Sequence, residues 1–323
     1  MRKTALCLFS LLLLSLTLLS SCGSKVSPVL LTGGEQGTYY SLGNALSEML
    51  SSNENEKGDK DKSKFTASFT VTSTSGHREN FAELANGKPY FAIARGDIVW
   101  SAINGTGVYQ GNQIKGIKLV AELYDEVVHV AVKEGIKSVS HLTTKRVCLG
   151  EKNSAGAIIA QQVLAAAGVQ TYTAVYLSPS AAATALKNGE IDAFFLISGI
   201  ASAVITELSK SLRFEIIGLD ENVVNALCNK YPYYNRYFLA KSQYNVLKES
   251  INTVSLRACL VATDKVDDDL VYNILKRIAE DSPYLLNHKK YREITPDKMW
   301  SQNAIPLHDG AQKYKSEYEK NKK

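Results

Sequence analysis

Four short stretches of this 323-residue chain have residue types suited to holding a ligand. Residues 32–40, 72–80, 150–157 and 197–201 each join an apolar strand-like run to a helical run through Gly, Ser or Thr. Small residues let a guest approach the backbone, and the free N–H groups of a first helical turn carry partial positive charge. A carboxylate is therefore the natural guest. The candidate contacts are Gly37, Thr38 and Tyr39 in the first turn, and Ser75, His77 and Asn80 in the second. Ser154, Gly156 and Ala157 come from the third and Ser198 and Gly199 from the fourth, with Arg95, Asp97 and Tyr124 beside them. Each has a plainer reading. Ser75, Ser154 and Ser198 can be helix caps, Asn80 and Asp97 can brace turns, Tyr39 can belong to the core, and Tyr124 can support a hinge.

Templates for catalysis do not fit. There is no GxGxxG fingerprint, no Gly-Lys-Ser/Thr after Gly37, and no GxSxG elbow. His77, His129, His141, His288 and His308 lack HxxxH or HExxH spacing, so neither a zinc site nor any other cofactor is expected. His129 lies in an apolar run and reads as a hydrogen-bonded structural residue. The pattern favours binding over turnover.

The elements that position these turns alternate. Strands are expected at 29–32, 65–72, 90–94, 117–123, 127–132, 146–149, 173–177, 191–197, 213–217 and 255–263. Helices are expected at 38–50, 78–87, 97–103, 154–167, 180–188, 202–209 and 267–281, and residues 51–64 read as a charged loop. Such alternation means an α/β fold with parallel strands and helices on both sheet faces. The strands are too many for one compact sheet. Two lobes with mixed sheets, crossed by the chain near 127–132 and 255–263, fit better, with the ligand cleft between them.

Composition agrees with a packed globular protein: 45% of residues are hydrophobic and 21% charged. The formal net charge of +5 is weak and dispersed, which argues against nucleic acid. At the N-terminus Arg2 and Lys3 precede an apolar stretch over residues 5–19. That stretch is shorter than the roughly 20 residues a spanning helix needs, so it reads as a cleaved signal peptide. Leu19-Ser20-Ser21-Cys22 resembles the lipobox of bacterial lipoproteins. The resemblance implies a signal over 1–21, acylation of Cys22, a tether over 22–28, and a periplasmic protein anchored to a membrane by lipid. Cys148, Cys228 and Cys259 remain, leaving room for one disulfide or none.

Taken in order, several segments resemble the TAXI-type solute receptors of TRAP transporters. That family opens with Thr-Gly-Gly-x-x-Gly-Thr-Tyr-Tyr, and residues 32–40 read TGGEQGTYY. Its next helix start is similar to Thr74-Ser75-Gly76-His77-Arg78-Glu79-Asn80-Phe81, and its crossing strand to residues 121–130, AELYDEVVHV. Residues 147–157 (VCLGEKNSAGA), 191–199 (IDAFFLISG) and 307–311 with Tyr314 resemble three later family segments. The resemblance implies a type II periplasmic-binding-protein fold, with lobe 1 formed by 29–127 plus 254–323 and lobe 2 by 128–253. It implies a monomeric receptor whose lobes close on glutamate, glutamine or a dicarboxylate such as 2-oxoglutarate, and TRAP-type permease subunits as partners. A lipoprotein that keeps this fold for sensing or surface interaction is the alternative.

The chain also departs from the pattern. His77 stands where Ser is common, Arg95 replaces a neutral residue, and Ala157 lacks the hydroxyl of the usual Thr. Arg95 or Arg78 can supply a fork for a carboxylate in place of the lost hydroxyls. A solvated Arg at the cleft rim is the equal alternative.

Overall fold

A computed structural model describes residues 27–53, 60–61, 63–88, 90–281, 294–301 and 304–322. The expected signal segment, Cys22, most of the tether and His288 lie outside the described residues.

The first lobe begins with β1 (Val29–Leu31), α1 (Thr38–Ser51), β2 (Thr70–Thr72), α2 (His77–Ala85), β3 (Phe91–Arg95) and α3 (Gly96–Asn104). β1 pairs in parallel with both β2 and β3. The chain then crosses in β4, a single 17-residue strand over Ile117–Lys133. The sequence reading broke this strand at Tyr124-Asp125-Glu126. The structure keeps it whole because partners from neighbouring elements satisfy those polar side chains.

The second lobe contains β5 (Arg146–Cys148), α4 (Ala155–Ala166), β6 (Thr173–Val175), α5 (Pro179–Lys187) and β7 (Ala193–Ser198). It continues through α6 (Ala203–Ser209), β8 (Phe214–Ile217), α7 (Glu221–Lys230) and β9 (Asn235–Leu239). The chain returns along β10 (Ile251–Thr263) and ends with α8 (Asp268–Glu280) and α9 (Asp309–Asn321). α7 and β9 were not anticipated. The expected strand over 65–72 is reduced to 70–72, since three-residue β1 offers no longer edge.

Through 117–126 and 256–263, β4 and β10 pair with each other, and β10 pairs with β3; through 127–133, β4 pairs with β7 and β8. Residues 251–255 of β10 pair with β9. The two mixed sheets thus share their long strands, and among the described residues one ladder runs β2-β1-β3-β10-β4-β7-β5-β6. Pairs to β4 and β10 are antiparallel, while the outer pairs are parallel, so the sheets are mixed as the sequence suggests. A register shift between Arg257 and Cys259 places an irregularity where β10 changes neighbour from β9 to β3.

Apolar clusters cover both faces of each half-sheet. Leu42, Leu46, Ile274 and Ile278 lie on one face of the first, with Phe81, Val99 and Val261 on the other. Val130, Ile159, Val163 and Leu227 lie on one face of the second, with Phe194, Ile205 and Leu239 on the other. Cys148, Cys228 and Cys259 are free thiols, the first and last buried. That removes the possible disulfide.

His129, on β4, is fully buried. Its Nδ1 lies 3.3 Å from the Leu196 carbonyl and its Nε2 lies 3.0 Å from the Tyr244 hydroxyl, which accepts from the Ser202 amide at 3.1 Å. Burial lowers its pKa to about 4. In the unfolded chain the ring titrates near its ordinary value of about 6.5, so between these values the unfolded state binds the extra proton. Stability is therefore retained above that window and lost as pH falls through it. Urea unfolding should show a loss of about 2 kcal/mol between roughly pH 7 and pH 5 from this group, absent from the His129→Gln variant measured in parallel. Equal pH slopes for the two proteins would refute the assignment.

Candidate functional site

β1, β2, β5 and β7 all end where the sequence placed its small-residue turns, each leading into the helix that follows. In open α/β sheets this carboxyl edge is where ligands bind. The first turn is tight: the Gly37 amide donates to the Gly34 carbonyl at 2.7 Å, and a Cβ on Gly37 would stand 2.9 Å from that oxygen. Thr38 then starts α1 and points the next residue, Tyr39, toward the crossing strand.

Arg95 closes β3 at the centre of the site and is 8% exposed. Its Nε and Nη2 donate to Asp97 Oδ1 and Oδ2 at 2.6 and 2.9 Å. Its Nη1 stands 3.8 Å from Glu126 Oε2. Glu126 Oε1 accepts from the Tyr39 hydroxyl at 2.8 Å and lies 3.4 Å from the Tyr124 hydroxyl. Burial pushes the Glu126 carboxyl up, against the pull of Arg95 and the Tyr39 hydrogen bond. Burial and the Glu126 charge push the Tyr39 phenol well above its ordinary range. Burial works against the charge on Arg95, but Asp97 and Glu126 outweigh it and hold the guanidinium charged.

The fork edge of Arg95 is thus taken by Asp97, within the chain. The sequence reading offered that edge to a ligand carboxylate; its position two residues before Asp97 gives it a closer occupant. Neither a rim position nor solvation describes this residue.

His77 heads α2, with its ring edge toward Tyr109 at 6.2 Å and its carbonyl accepting from the Tyr109 hydroxyl at 3.1 Å. Burial, then Arg78 and Arg95, lower its pKa, so the imidazole is neutral near pH 7, and its buried Nε2 has no hydrogen-bond partner among the described residues. Ser75 donates to Glu79 at 2.8 Å on the exposed side. Asn80 is buried beneath the turn, its amide donating to the Thr32 carbonyl at 2.6 Å and its Oδ1 receiving Thr74 at 2.7 Å. These bonds tie Ser75 and Asn80 into the turn.

From the second lobe, Ser154 caps α4 by accepting from the Ala157 amide at 3.1 Å, leaving Ala155 and Gly156 as first-turn donors. A Cβ on Gly156 would lie 3.8 Å from Ile197 Cδ1, so the head of α4 sits beside the end of β7. There Ser198 keeps a buried hydroxyl without a hydrogen-bond partner among the described residues. A Cβ on Gly199 would touch the Tyr124 ring at 3.7 Å, so this turn lies against the crossing strand.

Sequence reasoning missed several residues that the fold brings here. Glu126 was legible as an acid interrupting an apolar run. Tyr233 and Tyr234, joined through Gln162 at 3.0 and 2.6 Å, come from the loop before β9, and Trp100 on α3 meets Tyr233 edge-on at 5.4 Å. Only the Tyr-Pro-Tyr-Tyr run at 231–234 could have signalled that cluster. Among the described residues no group of three or more His, Cys, Asp or Glu is placed to hold a metal.

Two α/β lobes sharing long crossing strands, with helix starts and buried polar groups at their junction, define the architecture of periplasmic solute-binding proteins. The chain belongs to the NMT1-like family, whose sequence model matches residues 30–318. Its fold is similar to that of a TctC solute-binding protein from Polaromonas solved without ligand, at a TM-score of 0.55 and 15% identity over 93% of this chain and 100% of that one. It is also similar to a structure described as a periplasmic transporter, at a TM-score of 0.51 and 13% identity over 93% and 95% of the two chains.

Proposed function

We propose that this chain is a receptor that closes its two lobes on one α-amino acid and delivers it to a membrane permease. The observation that carries the ligand class is the buried group Arg95, Asp97, Glu126 and Tyr39 at the carboxyl edge of the sheet. Two carboxyl groups face one guanidinium, so the group welcomes an ammonium more readily than a second anion. The first-turn amides of α4, capped by Ser154, suit the ligand's carboxylate. Glutamate and glutamine remain within this class, whereas 2-oxoglutarate and simple dicarboxylates, which lack the ammonium, fit it less well. Contacts from both lobes are made together only when the cleft is shut, so binding favours closure.

The ordered segments shared with TAXI-type receptors support an ion-gradient-driven TRAP system. In this reading the lobes divide near 127/128 and 253/254, and acylated Cys22 keeps the receptor in the periplasm against the membrane that holds the permease.

Mass spectrometry of solute retained by the purified protein, backed by a thermal-shift comparison, tests the ligand class. L-Amino acids should raise the melting temperature while succinate and 2-oxoglutarate leave it unchanged; stabilisation by the two acids alone would overturn the reading. Glu126→Gln should weaken amino-acid binding by roughly tenfold or more in calorimetry, as expected for loss of a charge-assisted contact. Unchanged affinity would remove Glu126 from the site.

A further inference from the structure

A crevice of about 250 Å³ runs outward between α3 and the 3₁₀ turn at Gly107–Tyr109 on one side, and α4 and the 231–233 loop on the other. Its inner end is formed by Asp97 and Ala155, the same residues that bound the cleft group and the head of α4. It is therefore continuous with the proposed amino-acid site. Its walls are aromatic and neutral: Trp100, Tyr231 and Tyr233, with Ile158, Gln162 and Thr106. Trp100 and Tyr233 meet edge-on at 5.4 Å, and Tyr231 stacks on Tyr233 at 5.6 Å.

Two details distinguish this space from a packing fault. Thr106 lines the wall, and its Oγ1, shielded in this arrangement, has no hydrogen-bond partner among the described residues, so turning the side chain toward a polar guest would satisfy it. The Asp97 carboxylate at the inner end is already matched by the Arg95 fork, so it presents little free charge to what enters. Both lobes contribute walls, so an occupant would be gripped only on closure.

We propose that this crevice is the side-chain subsite of the receptor and takes a flat aromatic ring. Ring faces and edges on the walls favour offset or edge-to-face contact with such a guest, and the absence of an unmatched charge along the crevice disfavours an ionic side chain. Thr106 supplies a hydrogen bond to a polar edge of the ring. Among amino acids the preferred solutes are then those with aromatic side chains. The proposal rests on the amino-acid reading for its choice of ligands.

Calorimetry on the intact receptor with L-phenylalanine, L-alanine and phenol separates the two readings. Phenylalanine should bind roughly tenfold or more tighter than alanine. Trp100→Ala should remove most of that advantage and leave alanine unchanged. Ile158→Trp, which fills the crevice without opening a cavity, should do the same and guards against misfolding of the first variant. Equal affinity for phenylalanine and alanine would overturn the subsite while leaving the amino-acid reading intact. Binding of phenol that is lost in Ile158→Trp, with no binding of either amino acid, would keep the subsite and overturn the amino-acid reading. Binding by none of the three would overturn both.

Discussion

Arg257→Ala should lower the free energy of unfolding by about 3–5 kcal/mol, read by urea denaturation near neutral pH. Arg257 lies on β10 where the lobes exchange strands and is 2% exposed. Its Nη1 donates to Asp125 Oδ2 at 2.8 Å and its Nη2 to the Leu123 carbonyl at 2.9 Å, while Nε lies 3.7 Å from Glu122 Oε2. Asp125 also accepts from Ser255 at 2.7 Å, and Glu122 from the Ser301 amide at 3.2 Å. The alanine variant would strand two buried carboxylates of β4 without their cation. Stranding a buried charge costs far more than the intact pair contributes, because desolvation remains when attraction is gone. Double replacement Arg257→Leu with Asp125→Leu should recover part of the loss, since it removes one of the two carboxylates that lose their cation. If the single variant lost under about 1 kcal/mol, water must reach these groups and the region would not be a dry junction.

The same residues explain why the sequence disclosed the two-lobed class and misread its centre. Periodicity found most of the short strands and the helices that α1, α4 and α8 became, because each buries one regular apolar face against its half-sheet. It broke β4 at Tyr124-Asp125-Glu126, since three consecutive polar or aromatic residues usually leave a sheet. Here Arg257 and Ser255 neutralise and bind Asp125, while Arg95 and Tyr39 meet Glu126. Those partners come from segments far along the chain, so no local window could show that the strand continues. α7 escaped for a related reason: the polar segment Glu221–Lys230 buries only Val223, Val224 and Leu227.

The candidate site was legible in its turns and not in its charges. Gly, Ser and Thr between strand and helix marked the carboxyl edge, because backbone geometry there demands small residues. Which side chains meet across that edge depends on pairing register and lobe placement. Arg95 and Asp97, two positions apart, already allowed a local pair, yet the approach of Glu126 required knowing that β4 passes nearby. The aromatic walls from Trp100 and Tyr233 likewise join segments more than a hundred residues apart.

Arg95→Ala should separate a positioning role from a ligand contact, and its expected effect is large on both stability and binding. With the guanidinium gone, Asp97 and Glu126 would remain close in a buried site, at a cost of about 3–5 kcal/mol near neutral pH. The Glu126 carboxyl already stands above its ordinary range through burial. Removing Arg95, which opposes that shift, would raise it further, so the folded variant holds protons that the unfolded chain releases. Stability of the variant relative to the parent must then fall as pH rises above about 4.5, and recover on acidification. The difference between the two proteins is the relevant quantity, because His129 destabilises both as pH falls. Binding gives the second readout. If Arg95 acts by holding Asp97 and Glu126 in place, affinity for an L-amino acid and for its carboxamide should drop in parallel. If its guanidinium met the ligand's carboxylate, only the acid would lose affinity, and the Asp97 fork would have to open on binding. A variant with unchanged affinity for both would exclude either role, and a pH-independent stability difference would show that the two carboxylates are not electrostatically coupled to Arg95.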